Sequence, residues 1–238
     1  MTAITATSKS DRSILSGAQL FRTLHSDDVL PLLDAFHVRD LPAGTTIFEQ
    51  GDRDEPELYV VLSGRVSITR RIGGGRGRSE LIGPGETFGE MSVLDHGPRE
   101  RTATALTPVR LGALSRESYL GWALVRPHVA ERLLRILARR LRRTDDEALD
   151  LLFVDVGARL AKALTDLAVR FGQVTPRGIL VDHGLSQAQL AEMVGTSRET
   201  LNKQLHRFAE RGWLTAGRGR LVIRNAERLA HRATVSDA

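Results

Sequence analysis

The chain of 238 residues, 41% hydrophobic, 26% charged and free of cysteine, has material for two modest globular domains but none for a disulfide framework, a thiolate zinc site or a cysteine-held iron–sulfur cluster. No apolar run approaches the roughly 18 residues that span a bilayer, and the Thr/Ser-rich start lacks the apolar block of a secretory signal, so a cytoplasmic protein with no membrane partner is expected. The net charge of +5 is concentrated: from Val156 onward 13 Lys/Arg face 7 Asp/Glu, whereas the first 155 residues carry a net of −1, and such a confined basic excess is the electrostatic footprint of phosphate binding.

Residues 1–16 are expected to be a flexible tail. Residues 17–126 then read as a β-barrel or jelly-roll domain with flanking helices. Short apolar runs (Thr46-Ile47-Phe48, Leu58 to Leu62, Arg65 to Thr69, Leu81-Ile82, Val109 to Leu111) alternate with glycine turns at Gly44, Gly51, Gly64, Gly73-Gly74-Gly75 and Gly83-Pro84-Gly85. Such a fold offers a ligand cavity. Within it, Phe88-Gly89-Glu90-Met91 leads to Gly97-Pro98-Arg99. Gly89 permits close backbone approach, Glu90 can accept from a ribose hydroxyl, and the planar fork of Arg99 suits a phosphate.

Enzymatic readings find little support. His37 and His96 are too few and too scattered for a cupin-like metal cluster, and neither a Gly-x-Ser-x-Gly elbow nor a phosphate loop is present. The run Gly73 to Arg78 reads as a flexible hairpin turn. No catalytic role and no metal are expected.

From Pro127, a suitable first helical residue, to Phe153 nothing breaks a helix. Leu134, Leu137, Leu141, Thr144, Ala148 and Leu151 recur in steps of three and four, which is the seam of a two-stranded coiled coil and implies a homodimer. Polar Thr144, followed by Asp145, is costly in that seam and points to contact with something bound there. Residues 154–157 are expected to be a hinge, with Gly157 its pivot, and Ala158 opens a basic domain over residues 158–238.

In that domain the run Leu185 to Leu205 reads as helix, glycine turn at Gly195, helix. Leu190, Ala191, Val194, Leu201 and Leu205 fall at intervals that pack two crossed helices. Thr196-Ser197 caps the second helix, from whose first turns Arg198, Glu199 and Lys203 project as candidate base readers. Arg grips guanine O6 and N7, and Glu accepts from cytosine N4. Ser197 and Thr200 are candidate phosphate contacts, and Ser186 is a further candidate DNA-binding residue. The helix ends at Gly212, and two apolar runs flank Gly217-Arg218-Gly219-Arg220, a basic wing whose Arg218 and Arg220 can reach phosphates.

The order of these parts resembles the cyclic-AMP receptor protein (Crp/Fnr) family, most closely its actinobacterial branch, over Leu15 to Arg232. The likeness is sharpest at Phe88-Gly89-Glu90, Gly97-Pro98-Arg99, Leu137 to Thr144 and Gly195 to Lys203. The resemblance implies an α+β chain with an N-terminal cyclic-nucleotide-binding β jelly roll, a long dimerisation helix and a C-terminal winged helix-turn-helix. It also implies a homodimeric transcription regulator gated by cyclic AMP or a related cyclic nucleotide, acting on a palindrome of double-stranded DNA with GTGA-like half-sites alongside RNA polymerase. By the same resemblance Gly89, Glu90 and Met91 belong to the ribose-binding stretch, Arg99 meets the phosphate, Thr144 and Asp145 meet the adenine, and Arg198, Glu199 and Lys203 read bases. Two positions depart from the family pattern. Glu100 stands where a Ser or Thr is usual, and Asp145 replaces a neutral residue. A one- or two-residue loop insertion would instead bring Arg101-Thr102-Ala103 onto the phosphate. A family member with another ligand or none, and a cyclic-nucleotide module binding DNA without sequence preference, are the alternative readings.

Overall fold

The computed structural model describes residues 4–5, 7–22, 24–73 and 76–234. They form two compact units, one of residues 1–71 with 81–141 and one of residues 72–80 with 142–238.

The first unit opens with a short strand β1 (Ile4–Thr5) and two helices, α1 (Lys9–Ser16) and α2 (Ser26–Leu33). Of the flexible tail expected for residues 1–16, Lys9–Ser16 is instead helix α1, and residues 1–3 and 6 lie outside the described residues. Ser8 and Asp11 close a reciprocal capping box, Ser8 Oγ accepting from the Asp11 amide at 3.1 Å and the Asp11 carboxylate accepting from the Ser8 amide at 2.8 Å. Leu15 is fully buried, and Asp11 accepts two hydrogen bonds of 3.1 Å from Arg110, 99 positions along the chain. That partner is too distant for the local Thr/Ser-rich composition to reveal.

Eight strands follow in chain order, β6 falling mostly among residues 72–80 of the second unit: β2 (His37–Leu41), β3 (Thr46–Phe48), β4 (Glu57–Ser63), β5 (Val66–Ile72), β6 (Arg76–Ile82), β7 (Thr87–Phe88), β8 (Thr102–Ala105) and β9 (Val109–Ser115). Helix α3 (Glu90–Asp95) lies between β7 and β8, and α4 (Arg116–Leu124) follows β9. Two sheets, ordered β1-β2-β9-β4-β7 and β3-β8-β5-β6, make the jelly-roll-like layers. Strand β4 shows why the fold holds. Its alternating side chains serve two cores, Tyr59 and Val61 packing with Ile68, Phe88 and Leu111 between the sheets, and Leu58, Val60 and Leu62 packing with Phe21, Leu32 and Trp122 beneath the helices. Of the hairpin tip expected to be flexible, Gly74 and Gly75 lie outside the described residues.

Helix α5 (Pro127–Phe153) is continuous. Leu134, Leu141 and Leu151 of the expected seam are exposed in the single chain, as are Thr144 and Asp145.

The second unit contains α6 (Val156–Phe171), β10 (Gly172–Thr175), β11 (Gly178–Asp182), α7 (Gln187–Val194), α8 (Arg198–Glu210), β12 (Leu214–Gly217), β13 (Arg220–Ile223) and α9 (Ala226–Thr234), with a sheet ordered β10-β11-β13-β12. Helix α6 starts earlier than the hinge expected at 154–157 allows: only Val154 and Asp155 lie between the two helices, and Gly157 is helical rather than a pivot. The reason is Asp155, whose Oδ1 accepts from the amides of Gly157 (2.8 Å) and Ala158 (3.2 Å) and from Arg232 Nη2 (2.5 Å). Glycine at 157 serves close approach, because a Cβ there would lie 2.7 Å from Arg232 Nη2.

Arg159 joins three pieces of this unit. Its Nη1 donates to the Val154 carbonyl at 2.5 Å, just past the end of α5, while Nε and Nη2 donate to the Val194 and Gly195 carbonyls at 3.0 and 3.1 Å, where α7 ends. These carbonyls have no intrahelical donor, so a guanidinium is well matched to them. Leu151 packs over the same turn, so closely that a Cβ on Gly195 would lie 2.4 Å from its Cδ2.

Candidate functional site

Arg99 organises the first cluster. It is buried, and its Nη1 donates to the carbonyls of Glu57 (3.1 Å) and Gly89 (2.9 Å) and to Ser92 Oγ (2.7 Å), while Nη2 also reaches the Glu57 carbonyl at 3.1 Å. None of these acceptors is a carboxylate. The guanidinium lies 4.2 Å from the Phe48 ring centroid, and Phe48, Tyr59 and Phe88 stack in turn. Burial lowers the pKa of Arg99 from its ordinary value, although nearby Tyr59, Glu57, Asp52 and Glu90 oppose the shift.

A second layer holds this arrangement. Tyr59 donates to Glu57 Oε2 at 2.7 Å, and Glu57 Oε1 meets Arg39 at 2.9 Å and His37 at 3.1 Å. Burial, reinforced by Glu57, pushes the Tyr59 hydroxyl pKa up, so it remains a proton donor. Gly89 adopts φ +81°, and a Cβ there would lie 2.8 Å from the Glu57 carbonyl and 3.0 Å from Arg99 Nη1.

Of the residues expected here, Gly89 and Arg99 meet directly. Glu90 begins α3 and is buried, and Met91 beside it is exposed. Glu100 points to solvent. Thr102 Oγ1 accepts from the Gln50 amide at 3.0 Å. Thr144 and Asp145 lie on the part of α5 that belongs to the second unit. Sequence reasoning did not single out Phe48, Glu57, Tyr59 or Ser92, because nothing local distinguishes a strand aromatic facing a cation from one facing the core.

The second cluster is the helix-turn-helix. Leu190, Ala191, Val194, Leu201 and Leu205 are all buried, and Gly195 takes the left-handed conformation (φ +71°) that closes α7. Ser186 caps α7 in a reciprocal box with Gln189, and Ser197 caps α8, accepting from the Thr200 amide at 3.1 Å and donating to Thr200 Oγ1 at 2.9 Å. The hydroxyls expected at the DNA therefore also hold the helix starts. Arg198, Glu199 and Lys203 are exposed on α8, with Glu199 and Lys203 paired at 2.8 Å. Arg198 instead donates Nε to Gln187 Oε1 of α7 at 3.3 Å. Arg218 and Arg220 are exposed at the tip joining β12 to β13.

Among the described residues, no group of three or more His, Asp or Glu is placed to hold a metal ion, and no helix is long and apolar enough to cross a membrane.

Comparison with known proteins accounts for both clusters. Residues 38–122 match the cyclic nucleotide-binding domain, and residues 158–232 match the Crp-like helix-turn-helix domain. The chain is 42% identical over 221 residues to a CRP-like cAMP-activated global transcriptional regulator of Mycobacterium tuberculosis, covering 92% of this chain and 98% of that protein. It is 42% identical over 216 residues to the cyclic AMP receptor protein of Thermus thermophilus, covering 89% and 95%. The structure of FixK2 from Bradyrhizobium japonicum shares the fold, with a TM-score of 0.72 at 22% identity over 85% of this chain and 99% of that one. A cyclic-nucleotide-binding jelly roll joined in one chain to a Crp-like DNA-binding domain, with relatives this similar over nearly their whole length, shows that the chain belongs to the cyclic-AMP receptor protein (Crp/Fnr) family of transcription regulators.

Proposed function

We propose that the protein acts in the cytoplasm as a homodimer that binds a palindrome with GTGA-like half-sites, is gated by cyclic AMP or a related cyclic nucleotide, and works alongside RNA polymerase. The observation that carries the effector reading is the buried guanidinium of Arg99, which reaches only neutral acceptors beside a glycine with no room for a side chain. A phosphodiester supplies the anion such a cation lacks. Arg99 then holds the phosphate, Ser92 and the Glu57 carbonyl orient Arg99, and Glu90 accepts from the ribose hydroxyl. Exposed Glu100 is no obstacle to this arrangement. Thr144 and Asp145 are assigned to the adenine by family resemblance.

The apolar positions left exposed on α5, Leu134 and Leu141 among them, favour a second copy as their cover. Two copies related by a two-fold axis would present two α8 helices to half-sites about one helical turn apart. The effector biases DNA binding only through unequal affinity for two states of the dimer.

Calorimetric titration of the purified protein with cyclic AMP and cyclic GMP, followed by shift assays on a GTGA-type palindrome with and without the tighter ligand, tests the reading. Saturable binding that strengthens DNA affinity is the expected result. No binding heat, with DNA affinity unchanged by either nucleotide, would remove the gating.

A further inference from the structure

Arg198 is tethered differently from the other exposed side chains of α8. Glu199 and Lys203 satisfy each other within the helix, whereas the partner of Arg198 comes from α7. The side-chain oxygen of Gln187, the first residue of α7, accepts from Arg198 Nε at 3.3 Å and from Asn202 Nδ2 at 3.2 Å. Arg198 and Asn202 are four residues apart and share a face, so one exposed amide ties successive turns of α8 to the start of α7. Asn202 Oδ1 is buried and makes no hydrogen bond, so the Gln187 contact is what orients that amide. Gln187 also borders a small cleft with Gly217, Gly219 and Arg220 of the wing, which places it between the reading helix and the wing.

We propose that Gln187 is a positioning residue for base readout, holding Arg198 by Nε so that the Nη1 and Nη2 edge of its guanidinium faces the major groove. A long arginine side chain has many rotamers, and bidentate recognition of guanine needs one of them. An acceptor at Nε selects orientations that leave the two terminal nitrogens for O6 and N7. This inference rests on the reading above that Arg198 meets bases. It adds a residue that touches no base yet sets the sharpness of preference at one base pair.

The test is selection from a randomised duplex library by the full-length protein, with and without cyclic AMP, for wild type, Arg198→Ala, Gln187→Ala and Gln187→Glu. Arg198→Ala should flatten the preference at one base pair of each half-site. Gln187→Ala should flatten the same pair by about fivefold and leave the others sharp, with affinity for unrelated duplex within about twofold of wild type. Gln187→Glu keeps an acceptor oxygen in place, so it should retain the preference while its added charge lowers total affinity. Loss in Arg198→Ala with wild-type preference in Gln187→Ala would overturn the positioning role alone. Flattening spread over every position, or equal loss in Gln187→Glu, would show that Gln187 acts on folding of the motif and overturn it too. Unchanged preference in Arg198→Ala would remove the underlying reading and this inference with it.

Discussion

Arg232 donates to Asp155 at 2.5 Å, on the same oxygen that caps the first two amides of α6. The last described helix thus completes the start of the first helix of the DNA-binding domain. Asp155→Ala removes both the cap and the ion pair with Arg232, so it should cost about 2–3 kcal/mol of unfolding free energy. Asp155→Asn keeps a capping oxygen and should lose less. Urea unfolding of the three proteins checks the order, and equal stability of all three would mean that the pair contributes nothing.

Acid stability should depend on Asp11. Its hydrogen bonds from Arg110 hold the carboxyl at about 2, against an ordinary 3.8. The unfolded chain therefore takes up the proton first, so the stabilisation is complete above the ordinary value and is lost as pH falls from about 4 towards 2. Arg110→Met should be less stable than wild type at neutral pH, and the gap should close across that window. Melting curves measured through it test this, a constant gap being the contrary result.

In the effector pocket, Arg99→Lys keeps the charge and loses the planar fork. Cyclic AMP binding should fall by about tenfold or more, whereas Arg101→Ala should change it by less than about threefold. Calorimetry distinguishes them. Abolition of binding by Arg101→Ala alone would shift the phosphate contact to the Arg101-Thr102 register.

On DNA, Arg218 and Arg220 should act through phosphates. Alanine at either position should weaken cognate and unrelated duplex alike and reduce the steepness of the salt dependence by about one unit per lost contact in a double-logarithmic plot. Loss confined to the cognate site would assign these side chains to base edges instead.

The DNA-binding motif is legible in the sequence because its determinants are local. Ser186 and Gln189 are three residues apart, Gly195 closes one helix, and the buried leucines keep helical spacing. Strand β10 has no such signal. Gly172, Gln173 and Val174 are all exposed, with Val174 at 90%, so no apolar alternation marks the strand. Pairing with β11 makes it, helped by Gly178, where a Cβ would lie 2.2 Å from the Ile223 carbonyl. The pocket divides the same way. Gly89 and Arg99 stand in a readable motif, but the Glu57 carbonyl that Arg99 grips is 42 positions away, and only the folded sheet brings it there.

The grip of Arg159 on the Val154, Val194 and Gly195 carbonyls, with Leu151 seated over Gly195, clamps the end of α5 to the turn of the reading motif. The turn of the reading motif cannot slide against the last turn of α5 without breaking three hydrogen bonds and unseating a leucine. The last turn of α5 and the turn before α8 are thereby bound into one piece, which the Lys162–Asp150 pair at 2.5 Å extends to α6.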